Sequence, residues 1–186
     1  SIQQNNMSKL IQKATEIMIK AHGDQKRKTD GSPYINHPQA VADMLKENNF
    51  SDIVIAVGLC HDVLEDTDYY PTKLKEELGE EVFKLIKFLS EDKSLEWEER
   101  KEKYVEQIKN SPDEAKAVSI CDKIHNLNSL INSHSVLGPK VWTKFNRGKE
   151  KKMWFEEKML AMFKSNWSHP LISEYEVLLN QAKQLD

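Results

Sequence analysis

Hydrophobic residues recur at spacings of three and four along most of the chain, which is the pattern of amphipathic helices. The first such segment runs from Ser8 to His22, and Gly23 is expected to end the helix. The chain shows no alternating strand pattern, no glycine-rich phosphate loop and no internal repeat, so an all-α fold is predicted. Further helices are expected from His37-Pro38 onward and over 72–78, 80–89, 97–108, about 149–163 and 171–185.

The apolar stretch from Ile53 to Leu64 is compatible with either a strand or a helix. Its β-branched residues suit a buried strand, but buried strands usually run for about 4–8 residues. This stretch continues for longer than that without a turn signal, although Gly58 lies inside it. We therefore predict a central, almost fully buried helix.

The segment Ser111-Pro112-Asp113-Glu114 is typical of a capping box, with proline at the first helical position. We expect it to start a helix that continues past Ile124 and Leu127. A polar connection over about 132–148 is expected to follow.

Length and charge limit the class of protein. A chain of 186 residues corresponds to one domain, here expected over 8–186, with 1–7 as a mobile start or an expression remnant. The formal charge of −3 lacks the broad cationic field that nucleic-acid or membrane-surface binding needs. No apolar run approaches the ~18 residues of a membrane span. With two cysteines and no signal peptide, we expect a cytoplasmic protein without nucleic-acid or membrane partners.

Residues of the type that bind metal ions occur in three separate segments: His37, the pair His61-Asp62, and Asp122. Two imidazoles and two carboxylates suit a divalent transition ion such as Mn²⁺ better than a structural zinc site, which favours thiolates. Cys60 and Cys121 each precede one of these residues but face the wrong way to share the ion. They are interpreted as small core residues.

A second acidic pair, Glu65 and Asp66, lies four residues after His61 and Asp62 and would stack beside them on one helix. The plain interpretation is that this helix emerges into water. However, four ionisable groups directly after an apolar run are hard to explain as a solvated face. Asp122 likewise lies in an apolar helix, where a lone carboxylate is costly unless it is paired or bound to metal.

Together these motifs resemble a known family. Arg27-Lys28, the segment 31–38 (Gly-Ser-Pro-Tyr-Ile-Asn-His-Pro), His61-Asp62-x-x-Glu65-Asp66-Thr67 and Asp122-Lys123-x-x-Asn126-Leu127 occur in this order. They resemble the hydrolase domain of the RelA/SpoT alarmone enzymes, which are HD-domain metal phosphohydrolases. Because no synthetase or regulatory domain is seen, the chain is most similar to the stand-alone small alarmone hydrolases, which include the metazoan SpoT homologs. The resemblance implies a single helical HD bundle of about nine to eleven helices around a metal site.

The resemblance also implies an activity: hydrolysis of the 3′-diphosphate of guanosine tetra- or pentaphosphate to GDP or GTP plus pyrophosphate. It implies that Glu65 and Asp66 handle the attacking water and that Trp154 replaces a substrate-contacting tyrosine of animal relatives. The implied Mn²⁺ ligands are His37, His61, Asp62 and Asp122, and the implied substrate-binding residues are Arg27, Lys28, Asn126 and Ser129.

Other interpretations stay open at this point. The same chemistry could act on another phosphorylated nucleotide, such as a nucleoside monophosphate or NADPH. A catalytically silent HD module would bind a nucleotide or a partner, but it has no need of both Glu65 and Asp66. Arg27 and Lys28 could form an ordinary exposed basic run, and Lys149 to Lys152 are better explained as a solvated helix face than as phosphate contacts.

Overall fold

The computed structural model describes residues 8–186, and all secondary-structure elements in that range are helices apart from one isolated bridge between Lys26 and Pro33. The all-α prediction is therefore confirmed, while the prediction for 1–7 lies outside the described residues. Within 8–186 there is no helix with both the length and the apolar character to cross a membrane. The helices are α1 (Lys9–His22), α2 (Asn36–Glu47), α3 (Asp52–Cys60), α4 (Val63–Asp66), α5 (Pro71–Leu78), α6 (Glu80–Phe88), α7 (Trp97–Lys109), α8 (Asp113–Leu137), a 3-10 helix (Gly138–Lys144), α9 (Gly148–Asn166) and α10 (Leu171–Lys183).

Helix α3 forms the centre of the first half of the bundle. Its residues from Val54 to Cys60 are all buried, and α1, α2, α6 and α8 pack around it. Gly58 makes the close approach of α2 possible, since a Cβ at this position would lie 2.6 Å from Cδ1 of Leu45. This close approach explains why a glycine interrupts the apolar run. Cys60 and Cys121 are buried and free, as expected of core residues.

The prediction of one helix from Ile53 to Leu64 is wrong at its end. Helix α3 stops at Cys60, the chain turns through His61 and Asp62, and α4 begins at Val63. The His61 Nδ1–H donates to the Gly58 carbonyl, the group that would accept the Asp62 N–H in a continuing helix. Glu65 and Asp66 therefore lie on a separate short helix, in which the Asp66 N–H donates to the Asp62 carbonyl at 2.9 Å and so keeps Asp66 one turn after Asp62.

Two predictions about α8 are also corrected. There is no capping box, because the Ser111 hydroxyl donates to the Ile108 carbonyl at 2.6 Å and caps no N–H of α8. The helix also runs to Leu137 and so passes the predicted start of the polar connection at 132. Leu130 and Ser133 are buried against the rest of the bundle, and Asn132 and Ser135 remain on the exposed face. Packing on one face therefore extends a helix whose other face is polar.

Candidate functional site

Four predicted metal ligands converge on one point of the bundle. Helix α2 carries His37, the turn between α3 and α4 carries His61 and Asp62, and α8 carries Asp122. One ligand atom from each residue lies within 4.8 Å of the other three. Nε2 of His37 and Nε2 of His61 lie 2.7 Å and 3.3 Å from Oδ1 of Asp122. Nε2 of His61 lies 3.1 Å from Oδ2 of Asp62.

Hydrogen bonds behind the two imidazoles hold their Nε2 atoms toward this cluster. Nδ1 of His61 is 2.6 Å from the Gly58 carbonyl oxygen, so the proton of the neutral ring is on Nδ1. Nδ1 of His37 is 2.7 Å from Nδ1 of His125. Burial and the neighbouring His37 and Arg27 lower the pKa of His125 to about 4, so His125 is neutral and can accept this bond. Outer-shell bonds of this kind orient metal-binding histidines.

The two carboxylates of the cluster are held in the charged form. Burial raises the pKa of Asp122, but the Lys123 ammonium, 3.0 Å from Oδ2, and the adjacent imidazoles outweigh it and hold this pKa well below its usual range. Burial likewise opposes ionisation of Asp62, and His61 reverses the effect and lowers its pKa. The Tyr34 hydroxyl donates to Asp62. The site therefore offers anionic carboxylate oxygens from both residues to a cation.

These residues fit a divalent cation. Ligand bonds of about 2.1 Å place neighbouring ligand atoms about 3 Å apart, which is close to the separations observed here. Burial lowers the pKa of His61, but the carboxylates of Asp62 and Asp122 outweigh it and raise this pKa well above the ordinary value. The cluster thus attracts positive charge, and a bound cation would replace the proton on the imidazole.

Helix α4 carries the second acidic pair, Glu65 and Asp66, on the side of the His/Asp cluster. Burial, with the carboxylates of Glu91, Asp66 and Asp62 nearby, raises the pKa of Glu65 to about 7. Its Oε1 accepts the Glu91 N–H at 2.5 Å, which fixes the direction of the carboxyl group. Burial and the Asp62 carboxylate also raise the pKa of Asp66. The ion pair with Lys93 at 3.0 Å lowers this pKa but does not outweigh them. Glu65 is thus able to gain or lose a proton near neutral pH.

A cavity of about 390 Å³ joins these groups to the basic segment before α2. Nη2 of Arg27 donates to Oδ1 of Asn126 at 3.2 Å, and the guanidinium lies 5.8 Å from the centre of the Tyr34 ring. Lys28 also lines the cavity, so this segment is not merely an exposed basic run. Ser129, three residues after Asn126 on α8, is half-buried and does not line the cavity.

Several residues that build the site have no role assigned to them in the sequence motifs. Tyr34 and Lys123 stood inside the recognised motifs, and His125 could have been found from its position three residues after Asp122 on α8. Glu91 and Phe155 also line the cavity, but they reach it through long-range packing that leaves no local signal.

The segment around Trp154 is placed differently from expectation. Trp154 packs on Trp97 with ring centres 5.9 Å apart and does not line the cavity, whereas Phe155 does. Lys151 is exposed and pairs with Glu98, as expected of a solvated face. Lys152 departs from that interpretation, because it is largely buried and lines the cavity wall.

Comparisons with known proteins agree with this geometry. Human guanosine-3′,5′-bis(diphosphate) 3′-pyrophosphohydrolase MESH1 is 39% identical over 120 residues, which cover 63% of this chain and 67% of the relative. The crystal structure of lmo0812 from Listeria monocytogenes superimposes with a TM-score of 0.73 at 32% identity, covering 78% of this chain and 97% of that one.

A third similarity concerns the fold alone. The structure of a metazoan ortholog of SpoT, described as hydrolysing ppGpp, superimposes with a TM-score of 0.78 at 24% identity, covering 96% of this chain and 98% of that one. The family described as "HD domain" matches residues 14–145, which include the whole His/Asp cluster. The chain therefore belongs to the HD-domain family.

Proposed function

We propose that the protein hydrolyses the 3′-diphosphate of guanosine tetra- or pentaphosphate, giving pyrophosphate and GDP or GTP, with Mn²⁺ as its functional ion. The observation that carries this proposal is a single cavity lined by His37, Asp62, Asp122, the Glu65-Asp66 pair and Arg27. This cavity brings together a cation site, a proton acceptor and a group able to bind a nucleotide. The named activity of the human relative supports the choice of substrate.

The chemistry divides among the residues as follows. His37, His61, Asp62 and Asp122 would hold the ion, which when bound polarises phosphoryl oxygens and favours ionisation of water. Glu65 accepts the proton of the attacking water, whose oxygen forms a bond to the phosphorus next to the ribose. The bond from that phosphorus to the ribose 3′ oxygen breaks, pyrophosphate leaves, and the 3′ oxygen takes up a proton from solvent to become the hydroxyl of GDP or GTP. Asp66, held by Lys93, orients that water. Arg27, Lys28 and Asn126 are assigned to the nucleotide, whereas Ser129, the fourth residue implied by the resemblance, lies outside the cavity wall.

The test is a product assay. Purified protein with Mn²⁺ and guanosine tetraphosphate is expected to release pyrophosphate and GDP, identified by chromatography. Orthophosphate as the product would contradict the proposal. Faster turnover of nucleoside monophosphates or NADPH would instead assign the same site to another phosphorylated nucleotide. We also propose that the protein is cytoplasmic, which cell fractionation checks. Its proposed partner is a small-molecule nucleotide, which the product assay checks.

Arg27→Ala tests the role of the basic segment. Loss of a charged hydrogen bond costs on the order of 1–3 kcal/mol, so kcat/KM for guanosine tetraphosphate is expected to fall about 10- to 100-fold. Hydrolysis of a small artificial phosphodiester should be nearly unchanged, because that substrate has no base or second phosphate to hold. An equal loss on both substrates would mean that Arg27 supports the cluster through Asn126 and does not recognise the nucleotide.

A further inference from the structure

A second cavity of about 470 Å³ continues the first and is strongly cationic. The two cavities share a wall that includes Glu65, Asp66, Lys101 and Lys152, and the second extends away from the four cluster residues, none of which lines it. Seven lysine and arginine side chains line it, against three carboxylates. We call it the distal cavity. Its excess of positive charge suits an anionic group that lies away from the metal cluster.

Two buried donors beside the distal cavity have no hydrogen-bond partner among residues 8–186. Nε of Arg100 and the hydroxyl of Thr29 are both buried, and neither makes a hydrogen bond. Buried polar groups are normally hydrogen-bonded, so two unpartnered donors behind the wall add to the preference of this cavity for an anion.

The position of Lys152 is set from behind by a buried carboxylate. Nζ of Lys152 lies 2.8 Å from Oε1 of Glu156, whose side chain is 0% exposed. The Tyr175 hydroxyl donates to Oε2 of Glu156 and lies 3.1 Å from its backbone carbonyl oxygen. Burying a carboxylate is costly unless it is paired. Here the pairing fixes an ammonium group at the cavity wall.

Lys101 is held in the same way from α7. Its Nζ lies 2.8 Å from Oε1 of Glu91 and 4.7 Å from the centre of the Phe155 ring. Burial lowers the pKa of Lys101, and the ammonium groups of Lys123 and Lys152 lower it further. Like charges are thus gathered at this wall, where an anionic ligand would relieve their repulsion.

We propose that Lys101 and Lys152 bind the 5′-diphosphate of the nucleotide in the distal cavity, with Glu156 as the positioning residue of Lys152. The identity of the nucleotide rests on the proposed function. The ribose carries its 3′ and 5′ groups on different carbons, so a 3′-diphosphate at the metal cluster directs the 5′ group into another part of the cleft. The distal cavity is adjacent to the cluster cavity and has the matching charge.

Kinetics with two substrates test this assignment. In Lys152→Met, KM for guanosine tetraphosphate is expected to rise about 10- to 100-fold, the effect of losing a charged hydrogen bond, with kcat nearly unchanged. KM for guanosine 3′-diphosphate, which lacks the 5′ group, should not change. The matched control is Lys151→Met, whose side chain pairs with Glu98 and does not line the cavity, and it should behave as wild type. An equal rise in KM for both substrates in Lys152→Met would overturn the assignment.

The positioning role has its own variants. Glu156→Gln and Tyr175→Phe are expected to raise KM for guanosine tetraphosphate about 3- to 10-fold, again without affecting guanosine 3′-diphosphate. A fall in kcat on both substrates would mean that Glu156 has only a structural role. If Glu156→Gln does not fold, Tyr175→Phe decides the question.

Calorimetry separates this inference from the proposed function. Wild-type protein should bind GDP more tightly than guanosine, and Lys152→Met should lose most of that difference. This result would support the distal subsite even if no pyrophosphate were released from guanosine tetraphosphate. Equal affinity of wild type for GDP and guanosine would overturn the subsite even if hydrolysis were observed.

Discussion

Glu65→Gln is expected to lower kcat by about 10²- to 10⁴-fold and at the same time to stabilise the fold at pH 8. The loss of turnover follows because glutamine keeps the size of the side chain but cannot accept a proton. In wild type, kcat should fall as the pH drops below about 7, where Glu65 becomes protonated, and the residual activity of the variant should lack this dependence. Steady-state kinetics from about pH 5.5 to about pH 9, on both sides of that pKa, measure both effects.

The gain in stability follows from the same raised pKa. The folded-state pKa of Glu65, about 7, lies above its ordinary value of 4.5. The folded protein therefore keeps a proton that the unfolded chain releases, and stability falls as the pH rises from 4.5 to about 7. Glutamine removes this penalty, which is on the order of 1–3 kcal/mol in the free energy of unfolding.

Urea denaturation of the metal-free proteins at pH 5 and pH 8 measures this difference, and Glu81→Gln on the exposed face of α6 is the matched control. Lower activity together with lower stability in Glu65→Gln would indicate a purely structural role. Unchanged kcat with a raised KM would make Glu65 a substrate-binding residue and not the base.

Asp62→Ala is expected to abolish both metal binding and hydrolysis. Changes in outer-shell partners already cost about 10- to 100-fold in affinity or activity, so removal of a ligand should cost more than about 100-fold. The variant also leaves the Tyr34 hydroxyl without its acceptor. The helical fold should persist, because Asp62 lies in a turn between α3 and α4 and not inside a helix.

Elemental analysis and far-UV circular dichroism of Asp62→Ala check these expectations. Asp68→Ala, an exposed acidic residue six positions later, should retain both metal and activity. Retention of stoichiometric metal by Asp62→Ala, with its activity intact, would remove Asp62 from the ligand set.

The helices and the ligand segments could be predicted from the sequence because both leave local signals. The spacing of apolar residues defines α1 and α5 to α7, and His37 and Asp122 stand next to apolar faces where an unpaired polar group would be costly. The end of α3 could not be predicted, since the apolar run continues to Leu64 and the bond from the His61 side chain to the Gly58 carbonyl at the turn has no sequence signal.

The far wall of the cleft was not predictable for a different reason. Lys101 and Lys152 occur among other charged residues of α7 and α9, and nothing nearby in the sequence distinguishes Lys152 from the exposed Lys151. Only the packing of the helices turns Lys152 inward, toward Glu156 and the cavity. Ser129 shows the opposite case, because its motif position implied a substrate contact but its side chain does not line the cavity.

The most direct test of the account is a titration of Mn²⁺ into metal-free protein at a fixed concentration of guanosine tetraphosphate, with the release of pyrophosphate followed continuously. One cluster of four ligands predicts that the rate rises from background and saturates at one equivalent of Mn²⁺ per chain. Full release of pyrophosphate by the metal-free protein, or none at saturating Mn²⁺, would contradict the account.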